Sequence, residues 1–296
     1  MPPPLTMTEP QSELTLGVIG GSGLYEMDGL SEVREIALAT PYGPPSDAFI
    51  TGRLGPIRLV FLPRHGRGHR ISPSEINFRA NIWGLKKLGV SRILSVSAVG
   101  SLREDIVPGH FVVIDQFIDR TRHRPDTFFH DGIVAHVQFA DPVCSDLRQH
   151  LLVAARGLGL TVHDGGAYVN MEGPQFSTRA ESHLYRSFGA AVIGMTNLQE
   201  AKLAREAEIC YATLAMATDY DCWHESHDSV TVEAIVAIMH KNVGNAREVL
   251  RRAIPKLAAP SACHCGSALK TAIMTDRRQI GPEVRQRLAP LIERYL

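Results

Sequence analysis

Four apolar runs in this chain stop abruptly at glycine or at charged residues, and no other feature limits the fold as much. The runs lie at 14–19, 57–61, 93–99 and 210–217. They end in Gly20-Gly21-Ser22-Gly23, Pro63-Arg64-His65-Gly66, Gly100-Ser101 and Thr218-Asp219-Tyr220-Asp221. Short runs rich in Val, Ile and Leu, bounded by turn residues, read as buried strands. The 57–61 run reads as the return of a hairpin over 52–62. Further strands are expected at 111–114, 165–171 and 191–193. Little chain separates 93–99 from 111–114, so these two are expected to be neighbours. Helical stretches are expected at 74–88, 144–158, 178–188, 198–208 and 232–254, with a final helical pair over 271–296 broken at Gly281-Pro282. Strands and helices that alternate in this way predict an α/β fold. The expectation is a single domain with a central mixed, mostly parallel β-sheet flanked by helices. Within it, 1–13 reads as a flexible tail, 14–258 as the core and 259–296 as a C-terminal helical extension packed on the same domain.

Bulk properties narrow the function classes. The 296 residues are 44% hydrophobic and 21% charged, enough for a core built without disulfides or metals. Basic and acidic residues balance at 31 each, so no nucleic-acid or membrane surface is expected, although a local pocket can still take a small anion. The proline-rich start lacks a basic segment followed by an apolar one, and no run of about 18 apolar residues exists. Cytoplasmic location is the expectation. Cys144, Cys210 and Cys222 are scattered, while Cys263-His264-Cys265 is a close pair. That pair could bind a metal, form a strained local disulfide or do neither. With one intervening residue and no second pair in sequence, it is not a standard structural zinc pattern. No metal ligand set is assigned.

In α/β sheets ligands gather at the carboxyl ends of strands, where these polar motifs stand. The Gly20–Gly23 turn can present backbone N–H groups and the Ser22 hydroxyl to an anion, or can be a tight turn only. It has neither the third glycine of a dinucleotide fingerprint nor the lysine of a phosphate-binding P-loop. Arg64 can meet a phosphate by directional, charge-assisted bonds, and His65 beside it can donate to the same anion. A solvated basic turn fits these two residues as well. Asp219 and Asp221, two apart beyond a buried strand, would point to one side if the extended backbone continued. They could read a base and supply an acid, hold a divalent cation, or begin a loop. The polar segment 119–132 has no period, and long ordered loops of this kind are often functional.

Taken together the motifs resemble the trimeric purine nucleoside phosphorylase family, most closely its members that cleave 5′-methylthioadenosine. The resemblance covers about 16–258. It is carried by VIGGSGLY at 18–25, RHGRGHRISPSEINFRANIWGLKKLG at 64–89, SAVGSLREDIVPG at 97–109, IDQFIDRT at 114–121, MEGPQFSTRAES at 171–182, IGMT at 193–196 and ATDYDCW at 217–223. It implies a purine nucleoside phosphorylase-like fold and phosphate-dependent cleavage of a 6-aminopurine nucleoside. Ser22, Arg64, His65 and Thr196, with the backbone at Ser97 and Ala98, would hold phosphate. Met195 would lie along the ribose and Phe176 against the purine, though apolar residues also fill cores. Asp219 and Asp221 would face N7 and the 6-amino group. Val232 and Ile235 would wall the methylthio group, and His136 would be lent to a neighbouring subunit of a homotrimer.

The resemblance further implies that inorganic phosphate is a co-substrate and that neither cofactor nor metal takes part. Products would be adenine and 5-methylthioribose 1-phosphate. A broader purine nucleoside phosphorylase, a methylthioinosine enzyme and a non-catalytic nucleoside-binding protein are the alternative readings. Close CXC pairs like 263–265 occur in some archaeal members as local disulfides, a state that a reducing cytoplasm disfavours.

Overall fold

The computed structural model describes residues 14–224, 232–259 and 263–296; the side chains at 22, 232–237 and 240 fall outside that description. The strands are β1 (Thr15–Gly20), β2 (Ser31–Ile36), β3 (Phe49–Leu54), β4 (Ile57–Pro63), β5 (Arg92–Ser101), β6 (Phe111–Val113), β7 (Gln116–Arg120), β8 (Val162–Asp164), β9 (Ala167–Met171), β10 (Val192–Gly194) and β11 (Cys210–Tyr220). The helices are α1 (Phe78–Lys87), α2 (Ser145–Gly157), α3 (Arg179–Ser187), α4 (Asn197–Glu206), α5 (Val232–Ala253) and α6 (Pro282–Ile292).

Local chemistry sets several boundaries. The helix expected from 74 starts at Phe78, because Asn77 is its cap and accepts from the Ala80 N–H. Thr178 and Glu181 form a reciprocal capping box that starts α3. The expected helical pair over 271–296 is corrected: short turns precede a single α-helix, α6, and Ile273 instead forms a β-bridge with Ala135. Proline at the start of α6 suits a first turn but cannot extend a helix arriving from upstream.

All eleven strands join one sheet, with the path β2-β3-β4-β1-β5-β10-β9-β7. From β5 a second branch runs through β11 to β6 and then β8. Parallel pairings predominate, with β4, β1, β5 and β11 all parallel side by side. The expected pairing of 93–99 with 111–114 is corrected. β11 lies between those strands, parallel to β5 and antiparallel to β6. Its first nine residues are all buried, which suits the central place, and three-residue β6 is displaced outward.

Alternate side chains feed opposite faces of the sheet. Leu16, Val18, Leu59 and Phe61 pack with residues of α2 and α5, while Ile19, Val60 and Leu62 pack with residues of α1, α4 and α6. α6 contributes Leu288, Leu291 and Ile292 to this second layer, and Trp83 donates to the Arg287 carbonyl at 3.0 Å.

A break in the ladder along β5 creates the space for a site. On one edge β5 pairs with β1 as far as Ser95 and with β10 only from Gly100. Val96–Val99 therefore have no ladder partner on that edge. β1 runs parallel to β5 and β10 antiparallel, so their carboxyl ends meet head-on across the gap. Such a reversal is the usual ligand crevice of an open sheet. Gly20 pairs with Pro63, so the Arg64 motif joins the same end, and Asp219 pairs with Gly100 at the far end. The convergence expected from the four strand ends is what this topology produces. Four residues of β5 separate the two ends, about 13 Å at ~3.3 Å per residue, which is room for an elongated ligand.

Candidate active site

The end of the crevice near Gly20 is built on a buried ion pair. Arg64 is 4% exposed and Glu200 2%. Arg64 Nε donates to Glu200 Oε1 at 2.5 Å and Nη2 to Oε2 at 3.1 Å. Nη2 also reaches Ser95 Oγ at 2.6 Å, and Nη1 the Val96 carbonyl at 3.0 Å. Among the described residues, one of the five guanidinium hydrogens, on Nη1, has no protein acceptor. Glu200 also accepts from the hydroxyls of Ser95 and Tyr211, each at 2.9 Å, and Asn197 donates to Ser95, Tyr211 and Thr213. Arg64 is thus a fixed group whose charge is largely balanced by Glu200.

His65 is restricted in another way. Its Nδ1 lies 2.8 Å from the Ile71 carbonyl, and its ring stacks on His69. A carbonyl only accepts, so Nδ1 carries the proton. Burial, reinforced by the Arg64 charge, pushes the imidazole down to about 4. Nε2 therefore bears a lone pair near neutrality, and it donates to an anion only when the ring gains a second proton. The general expectation of a donor at His65 narrows to this conditional one.

Across the gap, Thr196 is buried and stands at the start of α4, with its hydroxyl making no capping bond to the helix. Ser97 is buried and its Oγ reaches the Ala98 carbonyl at 3.2 Å, while Ala98 is partly exposed on the unpaired edge. Met195, partly exposed, lies against Gly173. Its carbonyl accepts from Arg124 and from Asn170 Nδ2. Arg124, from the periodless segment 119–132, is 8% exposed and also donates to the Glu172 carbonyl and, at 2.9 Å, to Glu172 Oε1. That segment is an ordered strap tying the Glu172 loop to Met195.

At the other end stand the two aspartates. The register between β11 and β5 shifts between Ala217 and Asp219, leaving Thr218 as a bulge. The bulge interrupts the simple extension expected of the pair, yet the Asp219 carboxylate and the Asp221 Cβ both lie over Gly100. A Cβ added to Gly100 would lie 3.0 Å from Asp219 Oδ1 and 3.4 Å from Asp221 Cβ. Gly100→Ala is therefore expected to displace Asp219 and to lower kcat/KM by about tenfold or more, with a smaller loss of stability, as steady-state kinetics and thermal melts of one preparation would show.

Asp219 Oδ2 accepts from Thr218 Oγ1 at 2.7 Å. Burial pushes Asp219 up to about 6; the Thr218 bond opposes this and the Asp221 charge adds to it. Burial also raises Asp221, which is 5% exposed, with the neighbouring Ser182 and Ser177 hydroxyls opposing the rise; among the described residues its Oδ2 is buried without a hydrogen-bond partner. An unpaired buried carboxylate oxygen is costly, so this site favours a ligand that brings a donor. Among the described residues the pair has no third metal-ligating side chain beside it.

The remaining expected residues stand outside the hydrophobic core or outside the described side chains. Phe176 is 51% exposed and takes no part in a core. His136 is exposed, and its backbone N–H donates to the Ala272 carbonyl. The side chains of Ser22, Val232 and Ile235 lie outside the described residues, although Ser22 opens a 3₁₀ turn and Val232 opens α5. Sequence reasoning missed Glu200 and Ser95. They sit in or beside runs that read as ordinary helix and strand, so spacing gave no sign that their polar ends are buried.

The chain matches the phosphorylase superfamily over residues 15–255. It is 62% identical over 285 residues to the S-methyl-5′-thioadenosine phosphorylase of Geobacter sulfurreducens, covering 96% of this chain and all of the relative. A methylthioadenosine phosphorylase from an antarctic soil metagenomic library superposes with a TM-score of 0.91 at 46% identity, covering 95% of this chain and 99% of that one. The methylthioadenosine phosphorylase of Schistosoma mansoni, solved in complex with adenine, gives a TM-score of 0.82 at 39% identity, covering 87% and 96%. This chain therefore belongs to the phosphorylase superfamily and, within it, to the family of S-methyl-5′-thioadenosine phosphorylases.

Proposed function

We propose that this chain is a phosphate-dependent pentosyltransferase that converts 5′-methylthioadenosine and phosphate into adenine and 5-methylthioribose 1-phosphate. The observation that carries the reading is the crevice along β5, which has a fixed arginine at one end and a protonatable carboxyl at the other. Phosphate sits at the Gly20 end, meeting Ser22, an Nη1 hydrogen of Arg64, His65, the Thr196 hydroxyl and the exposed backbone at Ser97 and Ala98. Ribose lies over Met195. The purine reaches Asp219 and Asp221, and the half-exposed Phe176 ring closes on it.

A phosphate oxygen attacks C1′ as the C1′–N9 bond breaks, and its charge stabilises the oxocarbenium-like sugar. The bonding pair leaves with the purine, and Asp219 gives N7 a proton. Asp221 Oδ2 accepts from the 6-amino group. The 5′-methylthio group faces Val232 and Ile235, and His136 of one copy completes that side of a neighbouring site in a homotrimer. The exposure of His136 supports that arrangement. Phosphate is a co-substrate, and the steps above call on neither a cofactor nor a metal. Among the described residues no helix is long and apolar enough to cross a membrane.

Phosphate dependence tests the reaction class. Adenine release from 5′-methylthioadenosine is expected to need phosphate and to yield the sugar 1-phosphate in equal amount. Release of adenine with free methylthioribose in phosphate-free buffer would make the protein a hydrolase, and binding without turnover would make it a sensor.

A further inference from the structure

The sequence showed one close cysteine pair and no second. The fold supplies the second. Cys144 directly precedes α2 and Cys210 opens β11, and the Cys144 N–H donates to the Tyr211 carbonyl at 2.9 Å. Cys263 and Cys265 come from the C-terminal segment. The four sulfurs all lie within 4.8 Å of one another, and those of Cys210 and Cys263 are 3.3 Å apart. Among the described residues no disulfide joins any of the four. Four thiolates around one zinc ion at about 2.3 Å form a tetrahedron with sulfur–sulfur edges of about 3.8 Å, within the spread seen here.

The surroundings suit such an ion. Cys144, Cys210 and Cys265 are buried, in a layer with Leu147, Leu257 and Ile254, so competing water is excluded. Arg92 pairs with Cys210 across the β5–β11 ladder, is 8% exposed and donates to the Leu257 and Ala259 carbonyls. It is a buried cation on the strand next to Cys210, and its guanidinium also lies 4.0 Å from the Asp146 carboxylate.

We propose that Cys144, Cys210, Cys263 and Cys265 form a tetrathiolate site for one soft divalent metal ion, zinc foremost, which pins the C-terminal segment to the sheet. Binding releases four protons and leaves a net charge of minus two. Four protein ligands leave no open position, so the ion is structural. Cys210 lies nine residues before Asp219 along β11, about 30 Å at ~3.3 Å per residue, so the ion is remote from the base-reading end.

The test uses the full chain purified under reducing conditions. Elemental analysis is expected to give about one zinc per chain. Cobalt added to chelator-stripped protein is expected to produce the intense thiolate-to-metal absorption of a tetrahedral site. Zinc is expected to protect all four cysteines from alkylation. Cys265→Ser and Cys210→Ser are each expected to abolish the cobalt band. If either variant fails to fold, the cobalt titration of the unaltered chain decides by itself. Absence of both zinc and the cobalt band overturns the proposal. So does intact mass showing disulfides in freshly purified protein, with two hydrogens lost per bond.

Discussion

Asp219→Asn is expected to lower kcat by about 10²–10⁴-fold, the usual contribution of a positioned general acid. Asparagine keeps the shape and can still donate a hydrogen bond, but it has no proton to give to N7. The pH dependence gives a second readout. Burial raises Asp219 to about 6, so the protonated form dominates below that pH and thins out above it. The unaltered enzyme should therefore lose kcat/KM as pH rises beyond about 6, and the variant should lack that limb. Stability should move the other way. A carboxyl whose folded value lies above its unfolded value contributes stability that is complete below the unfolded value, near 3.8, and is lost as pH rises through about 6. Above that pH, Asp219→Asn is expected to melt at or above the temperature of the parent. Steady-state kinetics and thermal melts from pH 5 to 8.5 check both halves. A variant that loses activity only in proportion to lost folded protein would show a structural role instead.

Glu200→Ala is expected to be among the most damaging single changes to the fold. It leaves the Arg64 guanidinium buried and unpaired, and removing one partner of such a pair costs about 3–5 kcal/mol. It also strips the acceptor from Ser95 and Tyr211. A fall in Tm on the order of 10 °C should follow for a chain of this size. The double variant Arg64→Met with Glu200→Leu removes both charges and should recover much of that loss, because replacing a buried pair by apolar groups is often neutral or stabilising. It should still bind phosphate poorly, since the remaining Nη1 donor and the fixed loop geometry go with the arginine. Urea unfolding of the single and double variants, with phosphate KM for whichever folds, separates the two effects. Equal stability of Glu200→Ala and the parent would contradict the buried-pair account.

The sequence made the elements and the convergence of strand ends legible because both depend on local patterns. Apolar runs, capping residues and glycine stops read directly from neighbouring positions. The capping box at Thr178 and Glu181 and the buried run before Asp219 are examples. Pairing order was less legible. β11 inserts between β5 and β6, a choice made by burial across the whole sheet and not by loop length. In the crevice, Arg64 and the Asp219–Asp221 pair stand out because charge abruptly follows an apolar strand. Glu200 does not, since a glutamate in a helix ordinarily faces water and only the fold buries it against Arg64. The four cysteines were hidden for the same reason: Cys144 and Cys210 are far apart in sequence and meet only through the packing of α2 on β11.

The most direct test of the account is the ratio of kcat/KM for 5′-methylthioadenosine to that for 5′-methylthioinosine, measured in phosphate with one enzyme preparation. Among the described residues Asp221 Oδ2 is a buried acceptor without a donor, and a 6-oxo group offers none. The account predicts a preference for the 6-amino substrate of at least about a hundredfold, the scale on which an unpaired buried polar group discriminates. Equal or faster turnover of 5′-methylthioinosine would contradict it.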